Sequence, residues 1–465
     1  MEWKPFKPTG LFIKTLRLIL AFAAAYSLNS YAAQLSPFSF SAAEHLARQQ
    51  DESSYLEHLP ADSKKLDHGF ALSEHLAAGQ QVALLFEPNK PPETNGLLHL
   101  LNGLKLTYGN ILSLGDLCGI VGQSISLGKT PKEQQQRFLN VFYSFAKEVR
   151  AVGEVNQLNH VIEQELQTIQ TGMQQGEAPE VIYQRIGNEV GRQVNCITGG
   201  GCLSWNWWMF PGRYLKLAME NYDHFIPNAQ IAYLSGHQAA LSQALKARET
   251  GLRQDLELAY AMDAFACHFL SDHFAAGHLR TPRIQLAREV YPSLLGSLLA
   301  SYMHNEENQE GLHVHNTNQE HWVVYGDFSY FNPANEESRN KLARVLQQSA
   351  DEVFNTFYNG IINDYHSHLA SLPEADENKD EHSMDISPLF YWNERTKQLL
   401  RRKDISNPYD RRFTANWWGW STLISLKKHY GVTREMRSVL HLLDARSSRA
   451  GAKKLILSAS KESGF

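Results

Sequence analysis

His268, Asp272 and His278 fall within eleven positions of one another, in the run ACHFLSDHFAAGHLR at 266–280. Their types and spacing suit metal coordination. Residues four apart lie one above the other on a helix, so His268 and Asp272 can close on a single ion. His278 lies about 240° around from Asp272 on a continuous helix, so it joins them only if the helix ends near 275–277, where Gly277 permits an ending. The competing reading is a buried, hydrogen-bonded His–Asp pair. Further donors favour the metal. Asp223 and His224 lie in NYDHF at 221–225, His237 follows Asp223 by fourteen residues, and MHNEEN at 303–308 supplies His304, Glu306 and Glu307. Imidazole and carboxylate without thiolate suit a catalytic zinc with open positions better than a closed structural one.

The order of these residues resembles the secreted bacterial zinc-dependent phospholipase C enzymes: Asp, fourteen residues to His, then H-x-x-x-D-x-x-x-x-x-H, then a later His beside carboxylates. GHLRTPR at 277–283 and LTYGNILSLGDLCG at 106–119 are similar to a larger-chain branch of that family, and the likeness spans roughly residues 100–330. The resemblance implies an all-α, multi-helix phospholipase C/nuclease-like domain with three zinc ions in a cleft. It places Asp223, His237, His268 and Asp272 around one zinc, Asp272 bridging to a second, and His278 and His304 on a third. It also makes Asp223 the general base. The family carries Glu four residues after its last His, where this chain has Asn308. Glu307 is expected to take that place, because three residues still share a helical face and a carboxylate offsets zinc charge. The N-terminal Trp and nearby His of the smaller relatives have no counterpart near the expected mature terminus. Asp116, with His68 behind it, is expected to supply the remaining ligands.

The implied reaction cleaves the glycerol-side phosphodiester bond of a phospholipid, phosphatidylcholine by preference, giving diacylglycerol and a phosphorylated headgroup. The implied partners are that phospholipid and, transiently, a membrane surface. Zinc-dependent single-strand nucleases of the same superfamily, and a non-catalytic, metal-stabilised protein that binds lipid or a surface, are the alternatives. Arg280 and Arg283 are candidates for phosphate contact. No G-x-S-x-G, G-x-x-x-x-G-K-[ST] or H-E-x-x-H occurs, which leaves serine hydrolases, P-loop enzymes and common metalloproteases without support.

Helices must position these groups. Residues 133–175 carry Phe138, Val141, Phe142, Phe145, Val149 and Val152 at spacings of three and four, as one buried helical face requires. A helix is expected from Asn228 through Lys246, carrying His237, and another from Leu252 to Phe274, carrying the central motif. Loops are expected at 88–93, 198–202 and 373–387, the last acidic and poor in apolar residues. Residues 33–372 are read as the catalytic domain, 373–387 as a linker or loop, and 388–465 as a helical C-terminal region.

Lys4, Lys7, Lys14 and Arg17 precede an apolar run at 18–28, and Ser30-Tyr31-Ala32 suits signal peptidase, so residues 1–32 read as a signal peptide and the protein as secreted. Removing them deletes four basic residues and one acidic one, moving the formal charge from −5 to −8. That argues against nucleic acid as a partner. Hydrophobic residues make up 43% of the chain, enough for a large core. Of four cysteines, Cys196 and Cys202 bracket a short glycine loop and are expected to pair, while Cys118 and Cys267 read as small buried residues. Two aromatic clusters, WNWWMF at 205–210 and WWGW at 417–420, are candidates for lipid contact.

Overall fold

A computed structural model describes residues 72–205, 207–363, 366–375 and 385–431. They belong to one compact unit, Asp62–Glu435; a second unit, Met1–Ala61 with Met436–Phe465, lies outside the described residues. The signal-peptide expectation and His68 therefore fall outside as well. Among the described residues no helix is long and apolar enough to cross a membrane.

The unit is predominantly helical, and its centre is the Arg253–Ser271 helix, buried continuously from Leu256 onward. It pairs with Asn228–Thr250 through Gly251, whose left-handed φ of 64° ends the first helix. Alanines at 232, 239, 240, 244 and 247 on one helix and at 259, 261, 264 and 266 on the other are buried in the same core, and such small side chains allow two backbones to approach closely. Pro131–Ala146 packs against this pair through Phe138, Phe142 and Phe145, whose rings meet Phe265 at 5.1–6.3 Å. Glu336–Asn359 closes another side.

The helix expected over 133–175 is two helices, Pro131–Ala146 and Val152–Gln174, separated by a turn that leaves Val149 exposed. The spacing rule held for the first four apolar positions because they share one helix; Val149 belongs to the connection. The C-terminal region departs further. Residues 390–414 form a three-stranded antiparallel sheet (Phe390–Asn393, Gln398–Arg402, Phe413–Thr414), followed by the Gly419–Tyr430 helix. Asn393 Oδ1 accepts from the amides of Arg395 and Thr396, a local turn that folds the first two strands into a hairpin.

This sheet is part of the same unit as the metal-type residues. Arg402 is buried in it and grips Glu306 with two bonds of 2.7 and 3.0 Å, with Tyr430 donating to the same carboxylate. A second small sheet joins Leu312–His315 to His321–Val324 and Glu374–Ala375. His313 bonds Asp385 at 2.6 Å, and His315 pairs across the hairpin with His321. Cys196 and Cys202 form a disulfide, and Cys118 and Cys267 are buried thiols.

Candidate metal centre

The Arg253–Ser271 helix presents His268 near its end and caps with Asp272. A turn at Asp272–Phe274 and extended backbone at Ala275 then redirect the chain into the short Ala276–Leu279 helix. That break brings His278 Nδ1 to 3.6 Å from Asp272 Oδ1, as the spacing required. Gly277 contributes close approach rather than a left-handed ending: a Cβ there would lie 2.4 Å from the His304 carbonyl.

His268 is aimed by its surroundings. Its Nδ1 lies 3.2 Å from the carbonyl of Leu112, left over at the end of the Tyr108–Leu112 helix. A proton on Nδ1 leaves the Nε2 lone pair facing the cluster, and such an outer partner commonly fixes the tautomer of a metal-binding His. Gly115 makes room for the ring, since a Cβ there would sit 2.0 Å from His268 Cγ. Asp116 follows, its Oδ1 3.7 Å from His268 Nε2 and 3.5 Å from His224 Nδ1.

His224 completes this part. Its Nδ1 lies 3.1 Å from His268 Nε2 and 2.9 Å from Asp272 Oδ2, yet Asp272 Oδ2 has no aligned hydrogen bond. Donor atoms facing one another in this way suit a shared cation. His75, on the Leu72–Gly79 helix, approaches Asp116 and Asp272 from another side at 4.0 and 3.8 Å, its other nitrogen bonded to Ser271. A third group joins His278 and His304 to Asp327, whose Oδ2 lies 3.3 Å from His304 Nε2. Asp272 stands between the groups, with one oxygen toward His224 and His268 and the other toward His278 and His75.

The charges are consistent with that placement. Burial pushes Asp272 up, but His268 and His224 outweigh it and hold its carboxyl well below the usual range. Burial opposes ionisation of Asp327 too, yet His304 and His278 bring it to about 2. Asp116 is dominated by burial and rises to about 6. Burial lowers His278 to about 4, which leaves its imidazole neutral and able to ligate.

Of the residues singled out in the sequence, the structure brings together Asp116, His224, His268, Asp272, His278 and His304. Three others lie elsewhere. Asp223 has its oxygens occupied by the Ile125 amide at 2.6 Å, the Ser126 amide at 2.9 Å and the Ser126 hydroxyl at 2.5 Å. It clamps a loop, and its neighbour His224 takes the cluster position. His237 faces Asp263 and Glu352 across a different helix contact. Glu307 is fully buried against Arg280 at 2.6 Å. Glu306 is held by Arg402, so neither glutamate completes the set. Asp327 does.

Asn308 supports that corner, its Nδ2 at 3.2 Å from His304 Nε2 and 3.1 Å from Asp327 Oδ2, its Oδ1 accepting from the Gly277 amide. Glu74, next to His75, accepts from the amides of Phe328 and Tyr330 and so fixes the turn that carries Asp327. The phosphate candidates are also committed: Arg280 to Glu307 and the Ile386 carbonyl, and buried Arg283 to Asn221, Ser297 and the Met219 carbonyl.

A cleft of about 550 Å³, open to solvent, reaches the cluster along Asp116 and His224, with Ile120, Leu217 and Phe269 among its apolar walls. Comparisons with protein-family models, with curated proteins and with solved structures found no match to this chain.

Proposed function

We propose that this chain is an exported zinc-dependent phospholipase C, cleaving the glycerol-side phosphodiester of phosphatidylcholine to diacylglycerol and phosphocholine. The observation that carries the reading is the convergence of His75, Asp116, His224, His268, Asp272, His278, His304 and Asp327 into three donor groups, two of them sharing His268 and all meeting near Asp272. The donor set is nitrogen and oxygen only, which fits zinc in an open, catalytic arrangement. Three ions are proposed: one held chiefly by His75, Asp116 and His268, one by His224 and Asp272, one by His278, His304 and Asp327. Zinc held there supplies Lewis acidity and charge neutralisation at the phosphoryl oxygens.

The protein's own groups do the rest. Asp116 faces both the cleft and the cluster, so it takes the proton of the attacking water in place of Asp223. The apolar walls accept the start of the acyl chains. His268 and Asp272, seated on a rigid buried helix, fix the geometry.

Chelation should abolish hydrolysis of phosphatidylcholine and added zinc should restore it, with phosphocholine and diacylglycerol as the products. Phosphatidic acid would mean that the other bond is cut, and digestion of single-stranded DNA with intact lipid would transfer the chain to the nuclease reading. Full activity in a verified metal-free preparation would remove the proposal.

Lipid contact is assigned to the segment that follows the Cys196–Cys202 disulfide. Leu203, Trp205 and Phe210 project there, 58%, 72% and 58% exposed, while buried Trp207 and three carbonyl contacts from Asn195 Nδ2 hold the loop's base. The Trp417 cluster is different. Trp417 lies half-buried, tilted against Phe390 with ring centroids 5.3 Å apart, and donates to the Leu399 carbonyl. Replacing Trp205 and Phe210 together by Ala should cut turnover on phosphatidylcholine vesicles by about tenfold or more, because each ring forfeits roughly 1.5–3 kcal/mol of apolar burial. Turnover of a monomeric short-chain substrate should stay within about twofold of the unmodified protein. Equal losses on both substrates would place the loop in the active site rather than at the lipid.

A further inference from the structure

The side chains that surround His237 form a second constellation, which shares none of its residues with the cluster. His237 comes from the Asn228–Thr250 helix, Glu352 from the Glu336–Asn359 helix, and His366 and His368 from the segment at the start of the Ser367–Ser371 turn. His237 Nε2 lies 3.1 Å and His366 Nδ1 2.8 Å from the same carboxylate oxygen, Glu352 Oε2. We propose that His237, Glu352 and His366 form a second type of metal site in this chain, taking one divalent transition-metal ion of the zinc class.

The surroundings leave those three atoms for a cation. Asp263 Oδ1 lies 2.7 Å from His237 Nδ1, and Asp263 is itself held by the hydroxyls of Tyr108 and Ser349 at 2.7 Å each. A proton on Nδ1 turns the Nε2 lone pair toward Glu352, the carboxylate–histidine arrangement that orients metal-binding imidazoles. His368 does the same for the carboxylate. Its Nε2 sits 2.6 Å from the Tyr233 hydroxyl and its Nδ1 3.0 Å from Glu352 Oε1, so His368 occupies one oxygen of Glu352 and Oε2 is the one that faces His237 and His366. The three ligand atoms lie within 4.8 Å of one another.

Access and chemistry agree. His237 and His368 are fully buried, whereas the side chains of His366 and Glu352 are 12% and 19% exposed, so an ion can arrive and keep a water from that side. Two imidazoles and one carboxylate without thiolate favour zinc, iron(II) or manganese over calcium or magnesium. An ion there joins two long helices to the segment at 366–371. Asp263 stands on the helix that also carries His268 and Asp272, so this site braces the scaffold behind the cluster. The site does not depend on what the cluster hydrolyses.

The test uses the full chain stripped with chelator and titrated with zinc alone. His366→Ala and Glu352→Gln should each bind one ion fewer than the unmodified protein and show a smaller zinc-induced rise in melting temperature. Asp272→Asn should lose ions from the cluster and keep this one. Because a substitution here could impair folding, the unmodified protein is also soaked in zinc and measured at the zinc absorption edge. A peak of anomalous scattering between His237, Glu352 and His366 is expected. No peak there in zinc-saturated crystals, or unchanged zinc stoichiometry in both variants, would overturn the proposal, leaving Glu352 as a hydrogen-bonding hub for three histidines. Loss of lipid hydrolysis with the peak retained would count against the cluster's proposed chemistry alone.

Discussion

Changing Asp272 to Asn is expected to abolish phospholipid hydrolysis and to lower zinc content together, with the far-ultraviolet circular dichroism unchanged. The substitution keeps the shape of the side chain and removes its charge. Asp272 is 1% exposed, one oxygen 2.9 Å from His224 Nδ1 and the other 3.6 Å from His278 Nδ1, so it belongs to one donor group and stands directly beside another. Changes to residues that merely orient ligands typically cost about 10–100-fold in metal affinity or activity. A direct ligand at the centre of the cluster should therefore cost more, on the order of 10³-fold in turnover or beyond. Normal metal content and turnover in the Asp272→Asn protein would show that the His268–Asp272 pair is a buried structural contact, and the hydrolase reading would go with it.

The parts of this centre that could be read from sequence are those set by local geometry. A four-residue spacing on a helix fixes relative direction, which is why His268 and Asp272 were legible as a pair. His278 followed because six residues on a helix point the wrong way unless the helix breaks. Asp223 and His224 were not separable. They are consecutive in a short turn at Tyr222–His224, and only the loop at Ile125–Ser126, about a hundred positions away in sequence, decides which of them is consumed elsewhere. His237 was drawn to the cluster by its distance along the chain from Asp223. That spacing says nothing about which helix face it occupies, and its partners Glu352 and His366 are more than a hundred residues downstream.

Two ligand-type residues lacked any local signal. Asp327 reaches His304 across the hairpin Leu312–Val324, held in place by Glu74 from the start of the described chain. His75 stands alone on a short helix. A single His in an apolar helix is ordinarily no more than a polar residue with a hydrogen-bond partner, as its contact with Ser271 illustrates. The helical class was legible because the apolar spacing of the long buried helices is persistent. The strands at 390–414 were not, being short, aromatic and mixed with basic residues such as Arg401 and Arg402, which the structure turns inward onto Glu306 and Thr422.

The contest between Glu307 and Asn308 is expected to come out for Asn308. Glu307→Gln should leave zinc content unchanged, because its carboxylate faces Arg280, whereas Asn308→Ala should lower it by removing the amide that touches both His304 and Asp327. The loss should be about 10–100-fold in affinity at that corner, the usual cost of an outer partner. Stability against pH separates the two roles of Glu307 further. Burial, only partly offset by Arg280, raises its carboxyl from 4.5 to about 7. A carboxyl whose folded pKa exceeds its unfolded value contributes stability that is complete below pH 4.5 and is lost as pH rises through about 7. Gln cannot ionise. Relative to the unmodified protein, Glu307→Gln should therefore gain stability across that window, at about 1.4 kcal/mol for each pH unit, as read by denaturant unfolding of metal-free protein. If Glu307 were instead a metal ligand, the zinc-loaded Gln variant would bind less zinc than the Ala variant of Asn308, and it would fall behind the unmodified protein as pH rises and the ligands ionise. That pair of results would return Glu307 to the site and displace Asp327 from it.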